Sequence, residues 1–119
     1  MTTFGTRIRP AVDAELQAAK TADNAGQAQL SFRHLERAHV LGQASTVQHV
    51  RVHVRMLLWG LKQKSRREVA GQVLRIVGAV TKTAIGWVPA GNTGGANVSP
   101  IKPLPIPEDL RRTIERARS

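Results

Sequence analysis

Cysteine is absent from this sequence of 119 residues, and aromatic side chains make up only 3% of it. Without cysteine the chain can form neither a disulfide framework nor a thiolate metal site, which excludes a small disulfide-stapled scaffold. With so few aromatic residues the core must be built from Val, Leu, Ile and Ala, a composition that suits packed helices. At this length we expect one domain with one hydrophobic core.

Long apolar runs are also missing. No segment approaches the roughly 20 apolar residues that a membrane-spanning helix needs. The first ten residues carry Arg7 and Arg9 but no apolar stretch behind them, unlike a signal peptide. We therefore expect no membrane association and a cytoplasmic location.

Apolar periodicity and capping residues predict an all-α fold. Four helices should form the core at 10–84, arranged as two antiparallel, tetratricopeptide-like hairpins that follow an N-terminal arm at 1–9. A strap rich in proline and glycine, 85–107, should then lead to a short C-terminal helix within 108–119. The predicted helices are Pro10–Asn24, Gln27–Leu41, Thr46–Lys62, Ser65–Ala84 and Glu108–Arg118.

The third predicted helix has a competing interpretation as a strand. Its valines at 50, 52 and 54 alternate with histidine and arginine, which is typical of a half-buried strand. A stripe at helical spacing extends over more residues than this alternation, and it favours a helix. The stripe consists of Val47, Val50, Val54, Leu57, Leu58 and Leu61.

The fourth predicted helix has the clearest start. Ser65 and Glu68 form an S-x-x-E capping box, in which each residue can satisfy a backbone N–H at the beginning of the helix. Apolar residues at helical spacing follow on one face. They are Val69, Val73, Ile76, Val77 and Val80.

Two distinctive phrases run through the chain, HLERAHVLGQ at 34–43 and GNTGGANVS at 91–99. Between them stand His49, His53, Glu68 and the pair Gly71-Gln72. Together these residues resemble a family of short bacterial proteins that is catalogued only as a domain of unknown function. The resemblance covers residues 30–110, and it implies a bacterial source and a single domain. It brings no activity, cofactor or catalytic residue.

The four histidines cluster on either side of a turn predicted at 42–45, and this is the most informative feature of the sequence. At about 100° per residue, Glu36 and His39 share a face of one helix, and His49 and His53 share a face of the next. An antiparallel hairpin would bring the two pairs together as metal ligands. Such a set suits Zn²⁺, Fe²⁺, Ni²⁺ or Cu²⁺. His34 lies about 140° around the helix from His39 and is the outlier.

The histidines also have a simpler interpretation, in which they hydrogen-bond or decorate a basic helical surface. The spacing His-x-x-x-His on one helix often arises by chance. The neighbouring Arg37, Arg51 and Arg55 would repel a cation unless their side chains point away from the site.

A basic run begins among the histidines and extends beyond them, within a chain of formal net charge +10. A concentration of this kind predicts affinity for nucleic acid or for an acidic protein. Recognised nucleic-acid-binding signatures are missing and aromatic residues are sparse, so a solvated helix face is favoured. The run consists of Arg51, Arg55, Lys62, Lys64, Arg66 and Arg67.

The loop Gly91–Gly95 contains three glycines, which permit backbone conformations that turn N–H groups towards an anion. No Gly-Lys-Ser or Gly-Lys-Thr follows it, and no strand is predicted before it, so it is neither a Walker loop nor a dinucleotide fingerprint. A tight loop is the favoured interpretation.

Catalytic patterns are lacking. The sequence has no Gly-x-Ser-x-Gly, no cysteine nucleophile, no His-Glu-x-x-His and no pair of acids placed to divide acid and base roles. We therefore predict a small binding protein rather than an enzyme. It should hold a transition metal through Glu36, His39, His49 and His53, and a basic module for nucleic acid or a protein partner is the alternative.

Overall fold

The computed structural model describes residues 2–82 and 105–119 of the chain, without the side chains of residues 66 and 79–82. Within the described residues the chain forms five α-helices and no strand, which confirms the all-α prediction. The helices are α1 (Phe4–Asn24), α2 (Ala28–Gly42), α3 (Thr46–Lys62), α4 (Arg66–Lys82) and α5 (Glu108–Arg118).

The third segment is helical throughout, so the helix interpretation is confirmed over the strand. Most of the predicted strap at 85–107, with the loop Gly91–Gly95, lies outside the described residues. None of the helices in the described part of the chain combines the length and the apolar character needed to cross a membrane.

Helix α1 begins at Phe4 rather than at Pro10, so the prediction of an N-terminal arm at 1–9 was wrong for most of its residues. The Thr3 hydroxyl caps the helix by accepting a hydrogen bond from the Thr6 N–H at 3.2 Å. Pro10 lies inside the helix, where it cannot donate to the Thr6 carbonyl as another residue would. The extra turns bury Ile8 completely, and this gain offsets the lost hydrogen bond.

The helices pack as two hairpins, α1 with α2 and α3 with α4, each joined by a three-residue connection. Helix α2 also packs against α3, while α5 lies against α1 and α2. The buried apolar cluster draws on α1, α2, α3 and α5, and none of its described members comes from α4. It consists of Ile8, Val12, Leu16, Ala19, Phe32, Leu35, Ala38, Val40, Leu41, Val52, Met56, Leu110, Ile114 and Ala117.

Helices α3 and α4 turn several polar side chains inwards and expose much of their apolar surface, although Val52 and Met56 of α3 are buried in the core. The apolar stripe that identifies α3 as a helix is largely exposed, and so is much of the apolar face of α4. The exposed residues are Val47, Val54, Leu58, Leu61, Val73, Leu74 and Val77. The buried polar residues of the two helices are Gln48, His49, His53, Glu68 and Gln72. Burying polar side chains is tolerated where they are hydrogen-bonded. His49, His53, Glu68 and Gln72 contact one another, and Gln48 donates to the Gly5 carbonyl oxygen at 3.4 Å.

Leu110 anchors α5 to the core and is 3% exposed. We expect Leu110→Ala to lower the free energy of unfolding by about 2–3 kcal/mol, because it removes buried apolar surface and leaves a cavity. Urea denaturation would measure the loss. As a control on the same helix, Arg112→Ala removes only an exposed ion pair to Glu108 and should change stability by less than about 1 kcal/mol. Equal losses for the two variants would contradict the docking of α5.

Candidate metal centre

The turn between α2 and α3 brings histidines from the two helices face to face. A β-carbon on Gly42, the last residue of α2, would lie 2.9 Å from the β-carbon of Gln48, so the close crossing of the helices requires glycine. His39 precedes this turn and His49 follows it. Their Nε2 atoms lie 3.0 Å apart, so the turn brings these two histidines together.

His53 completes a group of three imidazoles in which the nitrogen atoms converge. Its Nε2 atom lies 3.0 Å from Nε2 of His49, and the potential ligand atoms of the three residues all lie within 4.8 Å of one another. Two imidazole nitrogens bound to one ion at about 2.0–2.1 Å would be separated by roughly 2.8–3.4 Å, for bond angles between tetrahedral and right angles. The His39–His49 and His49–His53 separations fall in this range, and a shared ion would require His39 and His53 to lie within the same range of each other.

The three imidazoles are removed from solvent. His39 is 3% exposed, His49 9% and His53 1%. Their ring centroids are 4.7–4.8 Å apart and the rings meet at steep angles, so the nitrogen atoms can point to one place without the rings stacking. The side chains occupy the interface between α2 and α3, next to α4.

Helix α4 favours one tautomer of His53. The Gln72 amide nitrogen donates to a Glu68 carboxylate oxygen at 2.5 Å, which leaves the Gln72 amide oxygen facing Nδ1 of His53, also at 2.5 Å. An amide oxygen only accepts hydrogen bonds, so this contact is a hydrogen bond only while Nδ1 carries the proton. In the neutral ring, Nε2 then presents its lone pair to the cluster, as a metal ligand must.

Hydrogen bonding alone cannot satisfy this arrangement. Nε2 of His49 meets both Nε2 of His39 and Nε2 of His53 at 3.0 Å. In a neutral ring that nitrogen offers either one N–H or one lone pair, so at most one of the two contacts can be a well-directed hydrogen bond. A cation at the point of convergence would instead accept a lone pair from each of the three nitrogens.

Burial keeps two of these rings neutral at physiological pH. Loss of solvation lowers the pKa of His49 to about 4. Loss of solvation also lowers the pKa of His53 to about 4, helped by the nearby Arg75 and opposed by the hydrogen bond to Gln72. Metal ligation requires the deprotonated imidazole, so both residues are in the binding state at pH 7.

The structure brings together three of the four predicted ligands, and Glu36 is not a member of the group. Helix α2 turns Leu35, which is 3% exposed, into the interior one turn before His39, and Glu36 is only half-buried. The predicted outlier His34 is indeed apart from the cluster, since its Nδ1 pairs with a Glu15 carboxylate oxygen at 2.7 Å.

Of the three arginines that the sequence places beside the histidines, two are held in ion pairs. Arg37 pairs with Glu15 and Asp109, which draws its guanidinium towards α1 and α5. Arg51 pairs with Asp13 at 2.6 Å. Arg55, the third of them, is exposed. Arg75 on α4 does lie near His53, where its charge helps to lower the pKa of that residue.

The basic run is only partly available to a polyanion. Besides Arg51, Lys62 is paired, with its ammonium 2.6 Å from a carboxylate oxygen of Asp23. Lys64 and Arg67 are exposed at the turn between α3 and α4. A nucleic-acid or acidic protein partner therefore stays a prediction.

Glu68 and Gln72 are functional candidates that the sequence analysis did not identify as such. Glu68 was assigned to a capping box, and the Ser65 hydroxyl does accept a hydrogen bond from its N–H at 3.2 Å. Its carboxylate, however, accepts from Gln72, and the two residues are 8% and 0% exposed. The sequence could have indicated this pair, because two polar residues spaced four apart lie on the same face of a helix.

The described part of the chain is thus an all-α domain with a buried three-histidine cluster that could hold a metal ion. The chain belongs to a family described as a protein of unknown function, DUF3703, whose model matches residues 6–114. The predicted resemblance to a family of unknown function is confirmed, and the match is longer than expected. No curated protein and no solved structure matches the chain.

Proposed function

We propose that this protein binds one transition-metal ion between α2 and α3 through the Nε2 atoms of His39, His49 and His53. The supporting observation is the convergence of three buried imidazole nitrogens, in which Nε2 of His49 lies 3.0 Å from Nε2 of both His39 and His53. The Glu68 and Gln72 pair supports the same function, because metal-binding histidines ordinarily donate their second ring N–H to a hydrogen-bond acceptor.

The donor set favours a particular class of ion. Three imidazoles suit Zn²⁺, Cu²⁺, Ni²⁺ and Fe²⁺, whereas Mg²⁺ and Ca²⁺ prefer carboxylate and carbonyl oxygens. Water or another donor can complete the coordination of the ion. Because the ligands lie below the surface, the site suits storage, sensing or delivery of the ion better than repeated turnover of a substrate.

The proposal is tested by elemental analysis of the protein as purified, followed by titration of Zn²⁺, Cu²⁺, Ni²⁺ and Fe²⁺ into the chelator-treated form. The chain must be free of any affinity tag, because a histidine tag binds the same ions. We expect close to one ion per chain, with Mg²⁺ as a control that does not bind or compete. Failure of every transition metal to bind in stoichiometric amount would refute the proposed function.

A further inference from the structure

Helix α4 is held to the rest of the molecule mainly by α3, and its buried side chains are polar. Its buried side chains in the described part are Glu68 and Gln72, and none of its described residues belongs to the apolar core. On the outer side of the helix, Val73, Leu74 and Val77 are 49–69% exposed. Local opening of α4 therefore exposes less apolar surface than opening of α1 or α2 would, which places α4 among the less stable parts of the fold.

The polar contact that joins α4 to the cluster depends on the state of His53. Gln72 can accept from His53 and donate to Glu68 at the same time only while Nδ1 of His53 carries the proton. In the metal-free protein His53 can also carry its proton on Nε2 and donate it to His49. Nδ1 then has a lone pair that faces the Gln72 oxygen, and the contact with α4 becomes repulsive.

We propose that a metal ion at the three-histidine site locks α4 onto α3, so that α4 reports whether the site is occupied. This inference rests on the proposed function. An ion on Nε2 of His53 excludes the proton from that nitrogen, which leaves Nδ1–H as the neutral form and makes it a stronger donor to Gln72. The ion thus binds more tightly to the protein with α4 docked than to the protein with α4 displaced. This difference in affinity increases the fraction of molecules in which α4 is docked.

Metal binding and the docking of α4 are thermodynamically linked, so the size of one effect sets the size of the other. The factor by which the ion reduces the opening of α4 must equal the factor by which docking of α4 increases the affinity for the ion. Loss of a group that hydrogen-bonds to a metal-binding histidine typically weakens metal affinity by about 10- to 100-fold. We therefore expect the opening of α4 to be suppressed by about 10- to 100-fold when the site is saturated.

Amide hydrogen exchange of the full chain, with and without saturating Zn²⁺, tests this inference. In the wild-type protein, exchange within 66–82 should slow by this factor at Zn²⁺ saturation, beyond any slowing shared with the core of α1. In Gln72→Ala, Zn²⁺ should still bind, more weakly by a similar factor, but α4 should show only the slowing that it shares with α1. Leu74→Ala, a truncation on the exposed side of the same helix, should behave as wild type.

A further variant and parallel calorimetry separate the two proposals. His39→Ala removes a ligand from α2, so Zn²⁺ should no longer affect α4 in that variant. If calorimetry shows no Zn²⁺ binding to the wild type, the proposed function fails. If Zn²⁺ binds but exchange of α4 is unchanged, or if Gln72→Ala retains the wild-type response, the metal site stands and the locking of α4 is refuted.

Discussion

Replacing His39 or His49 by alanine should abolish stoichiometric metal binding. Each residue contributes one of the three converging nitrogens, and their Nε2 atoms lie 3.0 Å apart. Removing either leaves two donors, too few to hold an ion against competition from water. We expect affinity to fall by more than about 100-fold, the upper end of the loss seen when only a hydrogen-bond partner of a ligand is removed. Calorimetric titration of the chelator-treated variants with Zn²⁺ would measure the change.

Two variants on α2, the helix that carries His39, serve as matched controls. His34→Ala removes an imidazole that pairs with Glu15 outside the cluster, and Glu36→Gln removes the carboxylate that the sequence analysis had included. Both should bind Zn²⁺ with nearly wild-type affinity. Equal loss of binding in His34→Ala and His39→Ala would show that the cluster is not the site. A large loss in Glu36→Gln would restore the four-ligand arrangement.

The second large effect is a loss of stability of the metal-free protein in acid. Burial lowers the pKa of both His49 and His53 to about 4, from about 6.5 in the unfolded chain. Between these values the unfolded chain binds more protons than the folded protein, so the free energy of unfolding must fall as pH decreases from 6.5 to 4. The shifts correspond to about 3 kcal/mol for each histidine, because one pKa unit is worth about 1.4 kcal/mol.

Urea denaturation in the presence of a chelator, at several pH values from 7 to 4, would test this dependence. The double variant His49→Gln/His53→Gln should lose most of it, because it removes the two buried groups whose pKa values are lowered, while the other ionisable groups are common to both proteins. His34→Gln should retain it. A double variant whose stability falls as steeply as that of the wild type over this range would show that the buried histidines do not cause the effect.

Local signals in the sequence account for most of the fold. The capping residues Ser65 and Glu68 and the apolar periodicity placed the helices near their observed bounds. The start of α1 was not predictable from Pro10, because proline is also accepted inside a helix when tertiary burial, here of Ile8, offsets the missing hydrogen bond. The buried face of α3 was not predictable either. Its valine and leucine stripe indicates the helix, but polar partners on other helices decide that His49 and His53 face inwards.

Only the part of the candidate site that depends on residues close together in the chain could be predicted from the sequence. The short turn after Gly42 sets the register of α2 and α3, and so it places His39 opposite His49. The assignment of Glu36 assumed that a residue on the same side of α2 also reaches the cluster, but Leu35 is the buried residue at that level. The contact of Gln72 with His53 depends on how α4 folds back on α3, and helical spacing within α3 does not contain that information.

The most direct test of the three-histidine centre is a crystal structure of the Zn²⁺-loaded protein, with data collected on both sides of the zinc absorption edge. We predict one anomalous peak per chain between α2 and α3, at about 2.0–2.1 Å from Nε2 of His39, His49 and His53. A bound ion located elsewhere, or a cluster that contains no ion at saturating Zn²⁺, would contradict the account.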